Sequence, residues 1–513
     1  MRRWLTVAVV TGLAVGLVLV PVPALAQAPD IQRERLAGAD RFATAAAISE
    51  RAFSNGASTV VLARGDAFAD ALAAAAFAGS VDAPLLLSGS GALPDVTMRE
   101  LRRLSASQVV ILGGPQAVSR SVEARLEDAG LEVERVAGPT RFATAAQLAG
   151  RIAPERIGTI DGRRTAFLAS GTSFPDALAA GPPAFAGVLP ILLTTRDALP
   201  AETATALREL NVEQVFILGG EAAVSAQVAR QLGVPSSRLH GSDRARTAAR
   251  IATFAADKLG FTHERVTLAR GDDFPDALAA AALAGTRRSP LLLTQSPERL
   301  GRGARDHLLS TEGAVKRLTA LGATSAVSSS ALAEAERAAQ GITYTFPIEP
   351  ASAASYGRAH HDYPATDIFA ACGTRVVSPT VGVVDEVSLT DTWDPKVNDG
   401  ATRGGLSVSI VGDDGVRYYG SHFAKILPGI RAGARVEAGQ ALGTVGRTGS
   451  ARPTPCHLHF GISPPCGRGD WQVRRGVIHP WPYLDAWKAG DHRSPAAQVR
   501  SWAAANPQAC PGS

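Results

Sequence analysis

The sequence has neither Tyr nor Trp between residues 27 and 343. All six Tyr and five of the six Trp lie beyond residue 343. A change of composition this abrupt predicts that the last third is a domain of separate origin, joined to the rest near Gln340-Gly341. The length of 513 residues is also too great for one hydrophobic core, so several domains are expected.

Cysteine is scarce, and the four that occur, Cys372, Cys456, Cys466 and Cys510, all lie in the last third. No Cys-x-x-Cys spacing exists, which argues against a thiolate zinc site. An even count in a secreted chain favours two disulfides, and four cysteines leave three pairings open. Pairing Cys456 with Cys466 would close a small loop, and Cys372 with Cys510 would then hold the tail.

Long apolar runs are absent after the N-terminus. There, Arg2 and Arg3 precede an apolar run over residues 5–20 and an Ala24-Leu25-Ala26 end, which predicts a secretory signal over residues 1–26. The alternative is an uncleaved anchor, but the run is shorter than the ~20 residues a span needs. We therefore expect a secreted protein with no membrane span after signal cleavage.

Charge of either sign is nearly balanced. The formal net charge of +5 falls to about +3 once the signal is removed, which neither demands nor excludes an anionic partner. Phosphate-binding loops are also missing, since no Gly-x-Gly-x-x-Gly with an acidic partner and no Gly-Lys-Ser/Thr occurs. Gly113-Gly114 and Gly219-Gly220 are only weak candidates for an anion seat. No nucleotide site and no nucleic-acid partner are predicted.

What the first two thirds do contain is a threefold repeat. One segment recurs as GADRFATAAAIS, GPTRFATAAQLA and GSDRARTAARIA, at residues 38–49, 138–149 and 241–252. A second recurs as FADALAA, FPDALAA and FPDALAA from residues 68, 174 and 274. The third copy departs most from the pattern. A period of about 100 residues indicates tandem domains and not a solenoid.

Within a repeat, short apolar strands alternate with helical patterns. The first copy predicts helices over residues 44–51, 70–77 and 95–104, and strands over residues 59–63, 84–87 and 108–112. Such alternation is typical of a small three-layer α/β domain with a mostly parallel sheet. The domains predicted are repeat 1 (27–134), repeat 2 (135–237) and repeat 3 (238–340).

Two features of the repeats allow a structural or a ligand-binding interpretation. Asp70, Asp176 and Asp276 suit the first turn of a helix, where the helix dipole favours an acid, although ligand contact stays open. The Pro-Leu/Ile-Leu-Leu runs that begin at Pro84, Pro190 and Pro290 are predicted to be core strands, with a ligand surface as the alternative.

Together these motifs resemble the type 2 cell wall binding repeats, which occur in threes on Gram-positive surface proteins. The resemblance covers residues 33 to about 340. It implies non-covalent anchoring to an anionic cell wall polymer.

The last third has a β pattern with turns of Gly, Asp and Pro. Strands are predicted over residues 375–377, 382–387, 406–411, 416–421 and 440–446, after a first strand over residues 343–347. The prediction is a mainly antiparallel sheet with one buried face. The aromatic residues of the tail, such as Trp471 and Trp487, are expected to pack against it, with sugar binding as the alternative, and His479 is expected to be structural.

Histidines in this domain form the pattern of a metal site. His457 and His459 alternate on one strand and therefore project to the same side. Upstream lie His360-His361 and Asp367, and Tyr419 precedes Gly420-Ser421-His422. Neutral imidazoles with one carboxylate and an open position indicate a catalytic zinc site.

Residues 342–465 resemble the lysostaphin-type, or LytM-like, zinc endopeptidases that cut peptidoglycan peptides. The resemblance implies Zn²⁺ bound by His361, Asp367 and His459, with His457 acting on water and His422 on the oxyanion. The family usually has three residues between its first His and Asp, whereas five separate His361 from Asp367. His360 therefore stays open as the ligand in place of His361.

The domain over residues 341–513 is thus predicted to be a peptidase acting on peptidoglycan, in a secreted protein associated with the cell wall. Two alternatives stay open. One is a catalytically inactive LytM-like protein that binds the wall or activates a hydrolase, and the other is an adhesin with a vestigial peptidase.

Overall fold

The computed structural model describes residues 31–68, 70–173, 175–311, 313–358, 360, 362–467 and 469–510. The predicted signal lies outside these residues. None of the described helices has the length and apolar character to cross a membrane.

The three repeats are built from short strands that alternate with helices, as their sequence pattern predicts. In chain order the elements are β1 (Gln32–Leu36), α1 (Arg41–Ala52), β2 (Thr59–Arg64), α2 (Ala74–Ser80), β3 (Leu85–Ser88), α3 (Asp95–Arg103), β4 (Gln108–Leu112), α4 (Arg120–Asp128), β5 (Glu132–Val136), α5 (Arg141–Ala149), β6 (Thr159–Ile160), β7 (Arg163–Ser170), α6 (Pro175–Leu178), α7 (Gly181–Gly187), β8 (Ile191–Thr194), α8 (Ala201–Glu209), β9 (Gln214–Leu218), α9 (Ala226–Gln231), β10 (Ser236–Leu239), α10 (Arg244–Leu259), β11 (Arg265–Arg270), α11 (Pro275–Thr286), β12 (Leu291–Thr294), α12 (Arg302–Leu309), β13 (Arg317–Leu321) and α13 (Ser329–Ala339).

The strands form three separate sheets that are parallel except for β6. The sheets have the orders β3-β2-β4-β5, β8-β7-β9-β10 and β12-β11-β13-β1. The fourth strand of the first two sheets is therefore supplied by the start of the next repeat. The third sheet takes it from the start of the first repeat, since β1 pairs with β13. The predicted boundaries after residues 134 and 237 fall inside β5 and β10, so the sequence repeats and the sheets do not coincide.

The Pro-Leu/Ile-Leu-Leu runs are core strands. Every residue of β3, β8 and β12 is buried, which confirms the structural interpretation of these runs. The Ala-rich helices α2, α7 and α11 pack on one another where the three repeats meet. Their small side chains permit close approach: a Cβ on Gly79 would lie 2.1 Å from the carbonyl oxygen of Phe185.

Asp176 and Asp276 lie in the first turns of α6 and α11, as predicted. Burial raises the pKa of Asp176, and a hydrogen bond from Thr247 of the next repeat partly offsets that effect. For Asp276, burial and the nearby Asp273 raise the pKa to about 6, although Arg270 and Arg41 oppose the shift. These acids therefore lie at the junctions between repeats.

Changing Asp276 to Asn is expected to remove a pH dependence from the stability of the repeats. Because the folded pKa exceeds the unfolded value, the carboxyl stabilises the fold below about pH 4 and loses that contribution as pH rises through about 6. Between pH 4 and 7.5 the loss should approach about 2 kcal/mol. Denaturant unfolding followed by circular dichroism measures it. Asp128→Asn, at an exposed position, should keep the wild-type pH dependence, and the same dependence in Asp276→Asn would contradict the assignment.

The divergence of the third repeat has a structural counterpart in α12, which faces the last domain. Arg305 is 3% exposed, and a nitrogen of its guanidinium lies 2.6 Å from an oxygen of Asp491. Arg299 also pairs with Asp491, and Arg302 donates to the carbonyl of Ala489. The arginines that break the repeat pattern thus join repeat 3 to the tail.

The last domain is mainly antiparallel β, as predicted. Its elements are β14 (Ile348–Glu349), β15 (Ser355–Tyr356), β16 (Thr366–Phe369), β17 (Arg375–Val377), β18 (Gly382–Ser388), β19 (Ser407–Gly412), β20 (Arg417–Ser421), β21 (Phe423–Ile426), β22 (Arg435–Val436), β23 (Ala441–Val445), β24 (His457–Ser463), α14 (Trp471–Arg474), α15 (Trp481–Lys488) and α16 (Ala496–Ala505).

Two sheets enclose the core of this domain, in the orders β14-β17-β23-β21 and β15-β16-β24-β20-β19-β18-β22. The predicted first strand over residues 343–347 is wrong: only an isolated bridge at Tyr344 forms there, and pairing begins after Pro347, which has no amide hydrogen to donate. Trp487 is 4% exposed and packs in this core, which confirms the role predicted for it.

Candidate metal centre and active site

Three neighbouring strands of the larger sheet carry the predicted site residues. β24 lies between β16 and β20, and its His459 is opposite both Asp367 of β16 and Ser421 at the end of β20. Leu458 and Phe460 belong to the hydrophobic core. Because side chains alternate along a strand, His457 and His459 project to the other face, where Asp367 meets them.

His459 is oriented by two partners. Its Nε2 lies 3.0 Å from the carbonyl oxygen of Arg475, which can only accept, so Nε2 carries the proton. Its Nδ1 faces Asp367, whose Oδ1 lies 2.9 Å away. Burial alone would raise the pKa of Asp367, but the contact with His459 and the neighbouring imidazoles lower it to about 2. Either a proton or a metal ion between Nδ1 and Oδ1 can hold this pair together.

His360 completes a group of three possible ligands. One ligand atom from each of His360, Asp367 and His459 lies within 4.8 Å of the others. The Nε2 of His360 is 3.8 Å from Oδ2 of Asp367. His361 lies outside the described residues, so its role as the first ligand stays a prediction. A donor set of two imidazoles and a carboxylate fits zinc, and it leaves a position open.

The other two histidines are held as proton acceptors. His457 donates from Nδ1 to the carbonyl of Pro455 at 2.9 Å, and His422 donates to the carbonyl of Thr448 at 2.8 Å. In a neutral ring, each Nε2 then carries the lone pair. Burial, together with His459 and His457, lowers the pKa of His422 to about 3. His422 has a left-handed backbone with φ of 68°, a conformation that is uncommon for a residue other than glycine.

These residues line a cleft of about 390 Å³ that the sequence did not outline. The hydroxyl of Tyr363 lies 3.5 Å from Nε2 of His459. Trp471 begins α14, which packs on β24, and its side chain lines the cleft as well. Arg403, Arg474 and Arg475 also reach it. The sequence does not indicate this, because Arg403 lies in a turn distant in sequence from Arg474 and Arg475 at the end of α14.

The disulfides support the same strands. Cys372 pairs with Cys456 and Cys466 with Cys510, so the pairing of Cys456 with Cys466 is wrong. Those two cysteines flank the seven residues of β24, and an extended strand of that length separates its ends by about 20 Å. By contrast, Cys372 follows β16 and Cys456 precedes β24, which are adjacent antiparallel strands.

Comparison with known proteins agrees with this architecture. The family Cell wall binding domain 2 matches residues 35–123, 135–229 and 238–332. Peptidase family M23 matches residues 361–470, which include the candidate metal centre.

Two curated relatives come from Bacillus subtilis (strain 168). N-acetylmuramoyl-L-alanine amidase LytC is 32% identical over 297 residues, which are 58% of this chain and 56% of that protein. L-Ala–D-Glu endopeptidase is 32% identical over 142 residues, which are 27% of this chain and 38% of that protein. The chain therefore spans less than two thirds of the length of either relative.

A solved structure has a fold similar to part of this chain. Cwp8 from Clostridium difficile has a TM-score of 0.54 and 26% identity, and covers 61% of this chain and 52% of that one. The matches to Cell wall binding domain 2 together span more than half of the residues. The chain thus belongs to the family Cell wall binding domain 2, and after its three repeats it carries a domain of peptidase family M23.

Proposed function

We propose that this protein is a secreted zinc endopeptidase that hydrolyses peptide bonds of peptidoglycan while its repeats hold it on an anionic cell wall polymer. The observation that carries the proposal is the group of His360, Asp367 and His459 at the cleft, flanked by the two acceptor imidazoles of His457 and His422. The match to a cell wall binding family and to a peptidase family supports it.

Zinc, when bound by Asp367, His459 and either His361 or His360, would supply a Lewis acid for water and for the scissile carbonyl. The chain supplies the rest. His457 is placed to accept the proton of the attacking water, because its unprotonated Nε2 lies 4.0 Å from Oδ1 of Asp367. It can then return that proton to the leaving amine.

The oxyanion role of His422 sets a condition on its charge. Its Nδ1 already donates to Thr448, so donation to an oxyanion requires a second proton on Nε2. The lowered pKa of His422 opposes that protonation. The geometry therefore favours His422 as a second acceptor for the water proton, and the oxyanion role stays a prediction.

The full mature chain incubated with purified peptidoglycan tests the proposal. We expect soluble peptide fragments that a chelator abolishes and added zinc restores, with the bond that is cut read by mass spectrometry. No release with zinc bound would contradict the enzyme and favour an inactive protein that binds the wall or activates a hydrolase. The binding of the repeats is tested by sedimentation with cell walls. We expect the protein to sediment with intact walls and to stay in solution with walls stripped of their anionic polymer.

The first ligand can be assigned by two single substitutions. His361→Ala and His360→Ala should differ in zinc content, since only one of these adjacent imidazoles can complete the set with Asp367 and His459. We expect the ligand variant to lose zinc and cleavage together, and the other variant to keep most of both. Metal analysis of the purified variants measures this, and equal zinc retention by both would contradict a ligand at either position.

A further inference from the structure

Arg475 lines the cleft, and its guanidinium forms no ion pair with a carboxylate among the described residues. Its guanidinium carbon lies 3.9 Å from the ring centre of Tyr363 and 5.1 Å from that of Trp471. Its Nε is buried and has no hydrogen-bond partner, and its other nitrogens form no hydrogen bond or ion pair with a described residue. Leaving a buried donor unsatisfied is costly, and stacking on the two rings offsets that cost only in part.

The other two arginines of the cleft have side-chain partners. Arg474, the next residue in sequence, forms a close ion pair with Glu386 and lies over the ring of Tyr419. Arg403 donates twice to the side-chain oxygen of Asn398. Arg475 therefore differs from Arg474 in having no carboxylate partner among the described residues, and from Arg403 in having no hydrogen-bonded side chain among them.

We infer that Tyr363, Trp471 and Arg475 form a carboxylate slot, which binds a free carboxylate of the substrate peptide close to the scissile bond. This inference rests on the proposed function for the identity of the ligand as a peptide. Contact with two aromatic rings restricts the orientation of the guanidinium, and a carboxylate matches the guanidinium fork with two parallel hydrogen bonds.

The slot lies close to the reacting centre. The Tyr363 ring, which stacks on Arg475, has its centre 4.4 Å from that of His360 and 5.8 Å from that of His459. The guanidinium is thus one aromatic ring away from the candidate ligands. One extended residue spans about 3.5 Å, so the bound carboxylate belongs to a residue within about two of the bond that is cut.

The test compares two peptidoglycan stem peptides that differ in one group: a glutamate residue with its carboxylate free, or the same carboxylate amidated. Binding of each to the full mature chain is measured by calorimetry, both with zinc and after chelation. We expect the wild type to bind the free acid about 10- to 100-fold more tightly than the amide, the range of a charge-assisted bond. Arg475→Gln should reduce this ratio to about twofold or less, and Arg475→Lys should retain part of it.

Arg474→Gln is the matched control, since it removes the same charge one residue away and should leave the ratio unchanged. Because the carbonyl of Arg475 supports His459, zinc content and thermal unfolding of each variant are measured as well. Equal binding of the two peptides by the wild type overturns the inference, even if no variant folds. A ratio that survives in Arg475→Gln also overturns it.

Cleavage separates the two proposals. A chain that prefers the free acid in binding but cuts neither peptide with zinc present contradicts the proposed peptidase and leaves the carboxylate slot standing. A chain that cuts both peptides with the same kcat/KM contradicts the carboxylate slot and leaves the peptidase standing.

Discussion

His459→Ala is expected to abolish zinc retention and to lower peptidoglycan cleavage on the order of 1,000-fold or more, since it removes a metal ligand and not a supporting group. The Nδ1 of His459 faces Asp367, and the hydrogen bond of its Nε2 to the carbonyl of Arg475 fixes the orientation of the ring. Inductively coupled plasma analysis gives the zinc content, and release of peptide fragments gives the activity.

His479→Ala is the control for this substitution, because His479 is exposed and belongs to the same domain. It should keep both zinc and activity. An active His459→Ala protein that still holds one zinc would overturn the ligand assignment. Loss of activity with zinc retained would instead indicate that His459 contacts the substrate and does not bind the metal.

Removing the disulfide between Cys372 and Cys456, by changing both to Ser, is expected to lower the free energy of unfolding of the last domain by about 4 kcal/mol. The bond closes a loop with a sequence separation of 84 residues, which constrains the unfolded chain strongly. It also joins the ends of the strands that carry Asp367 and His459, so zinc affinity should fall by about 10- to 100-fold. Tryptophan fluorescence reports this domain selectively, since every Trp beyond the signal lies in it.

The second disulfide provides the matched control. Cys466 and Cys510 close a loop of similar effect, with a separation of 44 residues, but they join β24 to the tail and not to β16. Their replacement by Ser should cost comparable stability and leave zinc affinity within about twofold of the wild type. If both pairs lowered zinc affinity equally, the role of the first in aligning the ligand strands would be wrong.

The elements within a repeat could be predicted closely because local pattern decides them. The strand predicted over residues 108–112 is β4, and the predicted helix over residues 95–104 is α3 to within one residue. In the last domain the predicted strand over residues 375–377 is β17. Apolar runs between turn residues carry this information in a single short window.

Partners distant in sequence could not be predicted in the same way. The pairing of β1 with β13 joins residues nearly 290 apart, and nothing in β1 distinguishes that partner from the strands of its own repeat. The predicted disulfide pairing was wrong for a related reason. Closeness in sequence suggested Cys456 with Cys466, but an extended strand keeps them apart, whereas two antiparallel strands bring Cys372 to Cys456.

For the candidate site too, some features could be predicted from the sequence and others depend on the folded chain. Spacing alone placed His457 and His459 on one side of a strand, and the residues quoted for the family resemblance supplied Asp367 and His422. The proton positions of the imidazoles depend on the carbonyls of Arg475, Pro455 and Thr448, which only the folded chain brings near. The carboxylate slot could not be predicted from the sequence, because it needs Tyr363 to lie against Arg475 at the end of α14, and these two residues are distant in sequence.

The sequence by itself determined the three α/β repeats, the β architecture of the last domain and the residue types of the metal centre. These follow from periodicity and composition, which act over a few residues. Tertiary structure alone decided the pairing of β1 with β13, the disulfide pairing and the position of Arg475 in the cleft. Each of these depends on which distant segments lie side by side, and that is determined by packing of the whole domain, not by any local preference.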